Sequence, residues 1–132
     1  LRRVFMRLLL DTHIFLWWVK EDKKLPKVAI NKIKEAEEVY LSSASIWEIA
    51  IKMRLGKISG DIEILVQEIH NSHFLELPVT NRHAVATLGL PDIHQDPFDR
   101  ILIAQAISEP LVFLTADSGL KKYSELVEII SQ

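Results

Sequence analysis

Four acidic residues stand at positions where carboxylate groups could meet and bind a cation. Asp11 directly follows the apolar run 6–10, and Asp117 follows the apolar run 111–115. Glu48 comes shortly after a third apolar run, and Asp99 lies near the start of a long stretch of helix-forming residues. Carboxylates that lie together repel one another, and a hard divalent cation relieves the repulsion because it prefers oxygen ligands. We therefore expect a divalent-cation site if the fold brings these acids together.

The stretch that contains Asp99 is predicted to be a helix with a sharply defined start. Asp96 is expected as its N-cap and Pro97 as its first helical residue. At about 100° per residue, Asp99 falls in the apolar sector of this helix, beside Leu102 and Ile103. An ionised carboxylate on a buried face is costly unless a positive or donating group meets it. The alternative is that Asp99 bonds back to the N-cap backbone and interacts favourably with the helix dipole.

The other acids also have alternative structural roles. Asp11 and Asp117 would serve as N-caps of the helices that follow them. Glu48 would close a capping box with Ser45, or pair with Lys52 four residues later. Serine or asparagine would cap a helix equally well without mutual repulsion, so we favour a shared cation site over separate caps.

The elements that must position these acids alternate along the chain. Short apolar runs predict strands at 6–10, 39–42, 74–79, 111–115 and 127–130. Helical patterns lie between them, at 14–19, 25–38, 45–55, 61–70 and 80–88, from 97 onward, and as a helical turn at 118–123. This alternation predicts an α/β fold with an open, doubly wound, mainly parallel sheet. Ligands bind beyond the carboxyl ends of the strands in such sheets, which is where the acids fall.

Composition narrows the possible classes of protein. The 132 residues, 48% of them hydrophobic, predict a single domain over 1–132, with residues 1–5 as a non-native or flexible start ahead of Met6. The net charge of −2 excludes a uniformly basic nucleic-acid-binding surface but leaves room for a local basic rim. No apolar run approaches the roughly 18 residues of a membrane span, so we expect no membrane partner. The absence of cysteine excludes disulfides and thiolate metal sites, and we expect a cytoplasmic protein.

Other chemistries lack the residues that they need. The sequence has no Gly-rich phosphate-binding loop, no Ser-His-Asp elbow and no Cys/His metal spacing. A phosphorylated receiver domain would share the doubly wound fold and a Mg²⁺ site, but it needs an acidic pair after the first strand, an aspartate after the third and a lysine after the fifth. Here the first strand offers only Asp11, the third ends at Pro78-Val-Thr80, and the fifth runs out at Gln132.

Five segments together resemble PIN-domain proteins, and among them the VapC-type toxins of toxin–antitoxin pairs. The segments are Leu-Leu-Leu-Asp-Thr-His at 8–13, Ser-Ile-Trp-Glu-Ile-Ala-Ile-Lys at 45–52, Leu-Pro at 90–91, His-Gln-Asp-Pro-Phe-Asp-Arg-Ile-Leu-Ile-Ala-Gln-Ala at 94–106, and Leu-Thr-Ala-Asp at 114–117. The resemblance spans residues 7–130, and the motifs follow one another in the family's order. It implies a three-layer α/β fold with a five-stranded sheet in the order 3-2-1-4-5 and helices on both faces.

The resemblance also implies an activity and the residues that carry it. The activity is that of an endoribonuclease that depends on Mg²⁺ or Mn²⁺ and hydrolyses RNA phosphodiester bonds. The family's catalytic and metal-binding acids fall on Asp11, Glu48, Asp99 and Asp117. Its Ser/Thr before the last acid falls on Thr115, and Asp96 is expected as a helix cap first and as outer support of the metal second.

Partners follow from the same resemblance. Candidates for contact with RNA phosphates are Arg100, Lys52, Arg54 and His94, with Lys57, Lys121 and Lys122, although each could equally be part of a solvated surface. Surplus apolar residues predict a hydrophobic groove for a cognate antitoxin or a homodimer interface, with core packing as the alternative; they are Ile14, Phe15, Trp17, Trp18, Ile30, Ile33 and the helix 46–55. Two further functions stay open: a PIN nuclease in RNA processing outside a toxin pair, and a catalytically silent α/β binding module.

Overall fold

The fold is built on a five-stranded parallel sheet in the order β3-β2-β1-β4-β5. A computed structural model describes residues 6–93 and 95–130. The expectations for residues 1–5 and for His94 therefore lie outside the described residues. The strands are β1 (Arg7–Leu10), β2 (Glu38–Ser42), β3 (Leu75–Leu77), β4 (Val112–Thr115) and β5 (Val127–Ile129), and every adjacent pair is parallel. The predicted sheet order and α/β class are confirmed.

Helices connect the strands and cover both faces of the sheet. They are α1 (Thr12–Lys20), α2 (Lys27–Glu35), α3 (Ser43–Arg54), α4 (Ile62–Asn71), α5 (Asn81–Ala86) and α6 (Pro97–Ser108), with 3₁₀ segments at Thr87–Gly89 and Ser118–Tyr123. Within the described residues, no helix is sufficiently long and apolar to cross a lipid bilayer.

Alternating side chains of the central strand divide the core into two halves. Leu8 and Leu10 of β1 pack with the buried faces of α1, α2 and α4. Leu9, which points the other way, packs with Phe113 of β4 and with Leu102 of α6. All of these side chains are buried, because a parallel sheet covered on both faces exposes neither side of its strands. The result is the expected three-layer arrangement.

Several boundaries differ from the sequence-based prediction. The first helix begins at Thr12 rather than at residue 14, α5 ends at Ala86 rather than at residue 88, and β3 covers only Leu75–Leu77 of the predicted 74–79. The helix predicted over 25–38 ends at Glu35, because Ala36 is extended and Glu38 already pairs in β2. The helix predicted over 45–55 begins two residues earlier, at Ser43. The reason is that Ser42 acts as its N-cap, accepting a hydrogen bond from the backbone N–H of Ala44 at 3.0 Å. The proposed capping box of Ser45 and Glu48 is therefore wrong, and both side chains serve another purpose.

The start of α6 follows the prediction. The Asp96 side chain accepts hydrogen bonds from the backbone N–H groups of Phe98 and Asp99, and Pro97 is the first helical residue. The buried residues Leu102–Ala106 then pack α6 against the sheet. Because β1 lies between β2 and β4, the strand order reverses at β1, and the crevice at the carboxyl ends of β1 and β4 opens beside the start of α6.

Candidate active site

Asp11 and Thr115 join the carboxyl ends of the two central strands. Asp11 occupies the N-cap position of α1, but its side chain makes no capping hydrogen bond. Instead, the buried Thr115 hydroxyl donates to Oδ2 of Asp11 and accepts a hydrogen bond from the backbone N–H of Asp117 at 3.1 Å. Burial raises the pKa of the Asp11 carboxyl, and the Glu48 charge adds to this, whereas the hydrogen bond from Thr115 and the charge of His13 oppose it. Asp11 is thus held at the sheet edge by a side chain rather than used as a helix cap.

Glu48 is fixed by a buried network that the sequence analysis did not predict. The Thr12 hydroxyl lies 2.7 Å from Oε1 of Glu48 and 2.9 Å from Oγ of Ser45. A hydroxyl has one proton and an ionised carboxylate only accepts, so Thr12 donates to Glu48 and Ser45 donates to Thr12. The ammonium of Lys52 donates to the other oxygen of Glu48 at 2.9 Å, as the i+4 spacing suggested. Both carboxylate oxygens therefore have fixed partners.

Asp99 lies in the first turn of α6 and is half-buried. Burial, followed by the negative charges of Asp11, Asp96, Glu48 and Asp117, raises the pKa of Asp99 to about 7. Asp96 is a sequence neighbour of Asp99, but Asp11, Glu48 and Asp117 come from three other parts of the chain, so their common action on Asp99 means that the fold brings them close to it. We refer to Asp11, Glu48, Asp99 and Asp117 as the acidic cluster.

Asp117 lies at the exposed rim of the acidic cluster. Its side chain caps the following 3₁₀ segment, accepting a hydrogen bond from the backbone N–H of Gly119 at 2.9 Å. A Cβ atom at position 119 would lie 3.2 Å from Oδ1 of Asp117, so glycine allows this close approach. The capping role predicted as an alternative for Asp117 is therefore present, and it leaves the residue beside the other acids.

The chemistry of the acidic cluster suits a divalent cation. The four carboxylates of the cluster would be stabilised by a positive charge, and hard cations such as Mg²⁺ and Mn²⁺ prefer oxygen ligands. Across residues 6–93 and 95–130, however, no three His, Asp or Glu side chains already form a coordination shell around one point. Ion binding would therefore draw the carboxylates closer together.

The predicted cationic residues have different surroundings. Lys52 pairs with Glu48 at the cluster, and Arg54 is exposed at the end of α3. The Arg100 guanidinium donates to the carbonyl oxygens of Pro91 and Thr87, at 2.8 and 3.1 Å, and so fastens the preceding loop to α6. Of the other candidates, Lys57 and Lys122 are exposed, whereas Lys121 donates to the carbonyl oxygens of Glu125 and Val127.

Sequence reasoning missed Thr12 and Ser45. Thr12 directly follows Asp11, and Ser45 precedes Glu48 by three residues. Because Asp11 and Ser45 were considered as helix caps, a contact of Thr12 with Ser45 and Glu48 was not considered. A signal was present in the spacing: one turn of helix separates Ser45 from Glu48 and places both side chains on the same face of α3.

Comparisons with known proteins agree with this geometry. The family model for the PIN domain matches residues 8–126. The chain belongs to the PIN domain family. Its PIN domain is 29% identical over 118 residues to ribonuclease VapC22 of Mycobacterium tuberculosis, covering 87% of this chain and 90% of that protein.

Solved structures share the fold of this PIN domain. VapBC2 from Rickettsia felis, bound to a DNA fragment from its promoter, has a TM-score of 0.67 at 18% identity, covering 92% of this chain and 96% of the other. DNA-bound VapBC from Salmonella typhimurium has a TM-score of 0.60 at 18% identity, covering 85% and 87%. At these identities the likeness concerns the fold alone.

Removing the charge of Asp99 should stabilise the protein without metal. Its pKa is about 7 in the fold against an ordinary value of 3.8, so the stability associated with the protonated form is fully present below about pH 4 and is lost as the pH rises to about 7. In EDTA at pH 8, Asp99→Asn should therefore raise the unfolding free energy, by roughly 1–2 kcal/mol once water screening of this half-buried group is allowed for. Urea unfolding at pH 4 and pH 8 measures the change.

The control is Glu76→Gln, which removes an exposed charge on β3 and should have little effect at either pH. A stabilisation by Asp99→Asn that is equal at pH 4 and pH 8 would contradict the electrostatic origin of the shift.

Replacing Thr12 by valine should destabilise the network around Glu48. Thr12→Val keeps the side-chain volume but leaves the buried oxygens of Ser45 and Glu48 without their hydroxyl partner, at a cost of roughly 1–3 kcal/mol. Thr12→Ser keeps the hydroxyl and should retain most of the stability, as measured by urea unfolding. Equal losses in the two variants would show that packing of the methyl group, and not the hydrogen bonds, matters at this position.

Proposed function

We propose that this PIN domain is an endoribonuclease that hydrolyses RNA phosphodiester bonds with a bound Mg²⁺ or Mn²⁺ ion and acts as the toxin of a toxin–antitoxin pair. The observation that carries the proposal is the meeting of carboxylates at the carboxyl edge of the sheet, where Thr115 holds Asp11 and Thr12 holds Glu48. Burial and the charges of these acids raise the pKa of Asp99 beside them. A group so strongly perturbed, in a crevice at the carboxyl edge of a parallel sheet, is typical of a functional site. The ribonuclease name of the relative VapC22 supports the reaction type.

The residues of the acidic cluster would have different roles in the reaction. Asp11 and Asp99, whose pKa values are raised mainly by burial and further by neighbouring charge, would hold the ion, with Glu48 and Asp117 completing its surroundings directly or through water. A bound divalent ion supplies a Lewis acid that stabilises charge on the phosphate and activates water. Thr115 keeps Asp11 oriented, and Asp96 supports the site by holding the first turn of α6.

Glu48 and Asp117 differ in how freely they can act. Both oxygens of Glu48 have hydrogen-bond partners, Thr12 and Lys52, so the Glu48 carboxylate would keep a fixed position beside the ion. Asp117 lies at the solvent-exposed rim, so it would orient the attacking water.

RNA must approach a negatively charged site, so local cations have to offset the repulsion. Lys52 lies inside the cluster, whereas Arg54, exposed two residues later, points to another side of α3. We assign phosphate contact to Lys52, and contact by Arg54 stays a prediction. Arg100 is assigned to holding the loop, because its guanidinium donates to two backbone carbonyls; His94 stays a prediction.

A groove between the end of α1, α2 and α4 would take the antitoxin. Its volume is about 620 Å³, and its lining is mixed: apolar residues Trp17, Trp18, Val19, Leu25 and Ile30 with charged residues Glu21, Asp22, Lys23, Lys34 and Glu68. Ile14, Phe15 and Ile33, also predicted for this surface, belong to the buried core. The similar solved structures include VapBC complexes, which supports a protein partner. The homodimer stays a prediction.

Cleavage of total RNA by the purified protein tests the proposed reaction. With Mg²⁺ or Mn²⁺ the protein should produce discrete fragments, and EDTA should abolish them. Asp99→Asn should lower the cleavage rate by more than about 100-fold, because loss of an outer-shell support alone typically costs 10–100-fold. The matched control Glu76→Gln, on the distant edge strand, should cleave like the unmodified protein.

Cleavage that persists in EDTA or in Asp99→Asn would contradict the proposed site. Metal-dependent cleavage by a protein that does not slow the growth of bacteria expressing it would favour RNA processing outside a toxin pair. No cleavage and no thermal stabilisation by divalent ions would favour a silent binding module.

A further inference from the structure

Two partners hold the Glu48 carboxylate, and they differ in how easily they can leave it. Oε1 accepts the hydrogen bond from the Thr12 hydroxyl, which is buried and joins α1 to α3. Oε2 accepts a hydrogen bond from the Lys52 ammonium at 2.9 Å. The Lys52 side chain is 32% exposed, against 9% for the Glu48 side chain. The hydroxyl can leave only if the two helices separate, whereas the ammonium is carried on a flexible four-carbon chain that reaches solvent.

Lys52 places a positive charge where negative charges act on one another. The charge of Glu48 contributes to the raised pKa of both Asp11 and Asp99, so the carboxylate that Lys52 binds belongs to the electrostatic field of the acidic cluster. An almost buried carboxylate is costly without a compensating charge, and the ammonium supplies that compensation. Lys52 therefore acts on Glu48 as a divalent ion at the cluster would act, by neutralising part of its charge.

A divalent ion and the Lys52 ammonium would compete for Glu48. The repulsion between a dication and an ammonium is twice that between two monovalent ions at the same distance. Among the described side chains, no three acids or histidines already surround one point, so ion binding requires the side chains to move. Of the two bonds that Glu48 makes, the one to Lys52 can break while α1 and α3 keep their positions.

We propose that the Lys52 ammonium is a built-in counter-ion of the acidic cluster, and that a divalent ion replaces it at Glu48 and releases it to solvent. The inference rests on the proposed cation site and adds an order of events to it. Once released, the ammonium is available to an RNA phosphate, so contact of Lys52 with RNA depends on ion binding. Thr12 holds Glu48 in place throughout.

Nuclear magnetic resonance of ¹³C-labelled lysine reports directly on the release. The signals of the Lys52 ε-methylene group are those that disappear in Lys52→Met, which removes the charge and keeps an unbranched side chain. Without divalent ion they should show restricted motion, because the ammonium is bound to Glu48. Saturating Mg²⁺ should give them the chemical shift and fast motion of exposed lysines such as Lys27 and Lys122. Lys52 signals that do not change when Mg²⁺ binds would overturn the proposal.

Calorimetric titration with Mn²⁺ measures the competition. Lys52→Met should lower the Kd of the ion roughly 2- to 10-fold, because the ion no longer displaces an ammonium and a partly exposed ion pair contributes up to about one power of ten. Lys52→Arg should not lower the Kd, since it keeps a positive charge beside Glu48. The matched control Lys27→Met removes the same charge from α2 and should leave the Kd unchanged. Equal or weaker ion binding by Lys52→Met, in a protein whose thermal melt shows that it is folded, would contradict the competition.

The outcomes separate this proposal from the functions on which it rests. If neither Mg²⁺ nor Mn²⁺ binds, the cation site fails together with the release of Lys52. If an ion binds, Asp11→Asn abolishes the binding and Lys52 stays on Glu48, the cation site stands and only the release is wrong. Tighter binding by Lys52→Met without a change in the Lys52 signals also overturns the release, because repulsion alone then explains the affinity. If the release occurs in a protein that cleaves no RNA, the proposal stands and the nuclease function fails.

Discussion

Mutual repulsion among four carboxylates is the constraint on which the rest of this structure depends. Asp11, Glu48, Asp99 and Asp117 come from β1, α3, α6 and the end of β4, and only the closed fold brings them together. Such crowding opposes folding, and together with burial, which is the larger cause, it raises the pKa of the half-buried Asp99. A bound divalent cation would offset this repulsion, because it prefers oxygen ligands and neutralises their charge.

The surrounding structure holds the acids in place against that repulsion. Thr115 anchors Asp11 across the central strand pair, and Thr12 anchors Glu48 across the gap between α1 and α3. Each of these hydroxyls is buried and belongs to an element whose apolar side chains pack in the hydrophobic core. The geometry of the cluster therefore depends on core packing, and the chain positions its charges with rigid strands and helices rather than with mobile loops.

Much of this arrangement follows from the sequence because it depends on local patterns. Apolar runs that end in an acid identify the strands and their carboxyl ends, and Asp96 followed by Pro97 identifies the start of α6. The sheet order came from family resemblance and agrees with the fold. The Thr12–Ser45–Glu48 network was not predicted, because its partners lie 33 and 36 residues apart and local rules gave Ser45 another role. A cavity lined by Trp47 of α3 and Phe98 of α6 was not predicted either. It depends on how the two helices pack together, and the periodicity of a single helix does not reveal that packing.

The most direct test of the account is calorimetric titration with Mn²⁺ at pH 7 in two buffers of different ionisation enthalpy. Asp99, with a pKa of about 7, is about half protonated at this pH, so binding of the ion to the acidic cluster should release protons. We expect a buffer-dependent binding heat at pH 7, little buffer dependence at pH 9, and loss of the binding site in Asp11→Asn. Absence of Mn²⁺ binding, or binding that releases no protons and survives Asp11→Asn, would contradict the claim that these four carboxylates form one cation site.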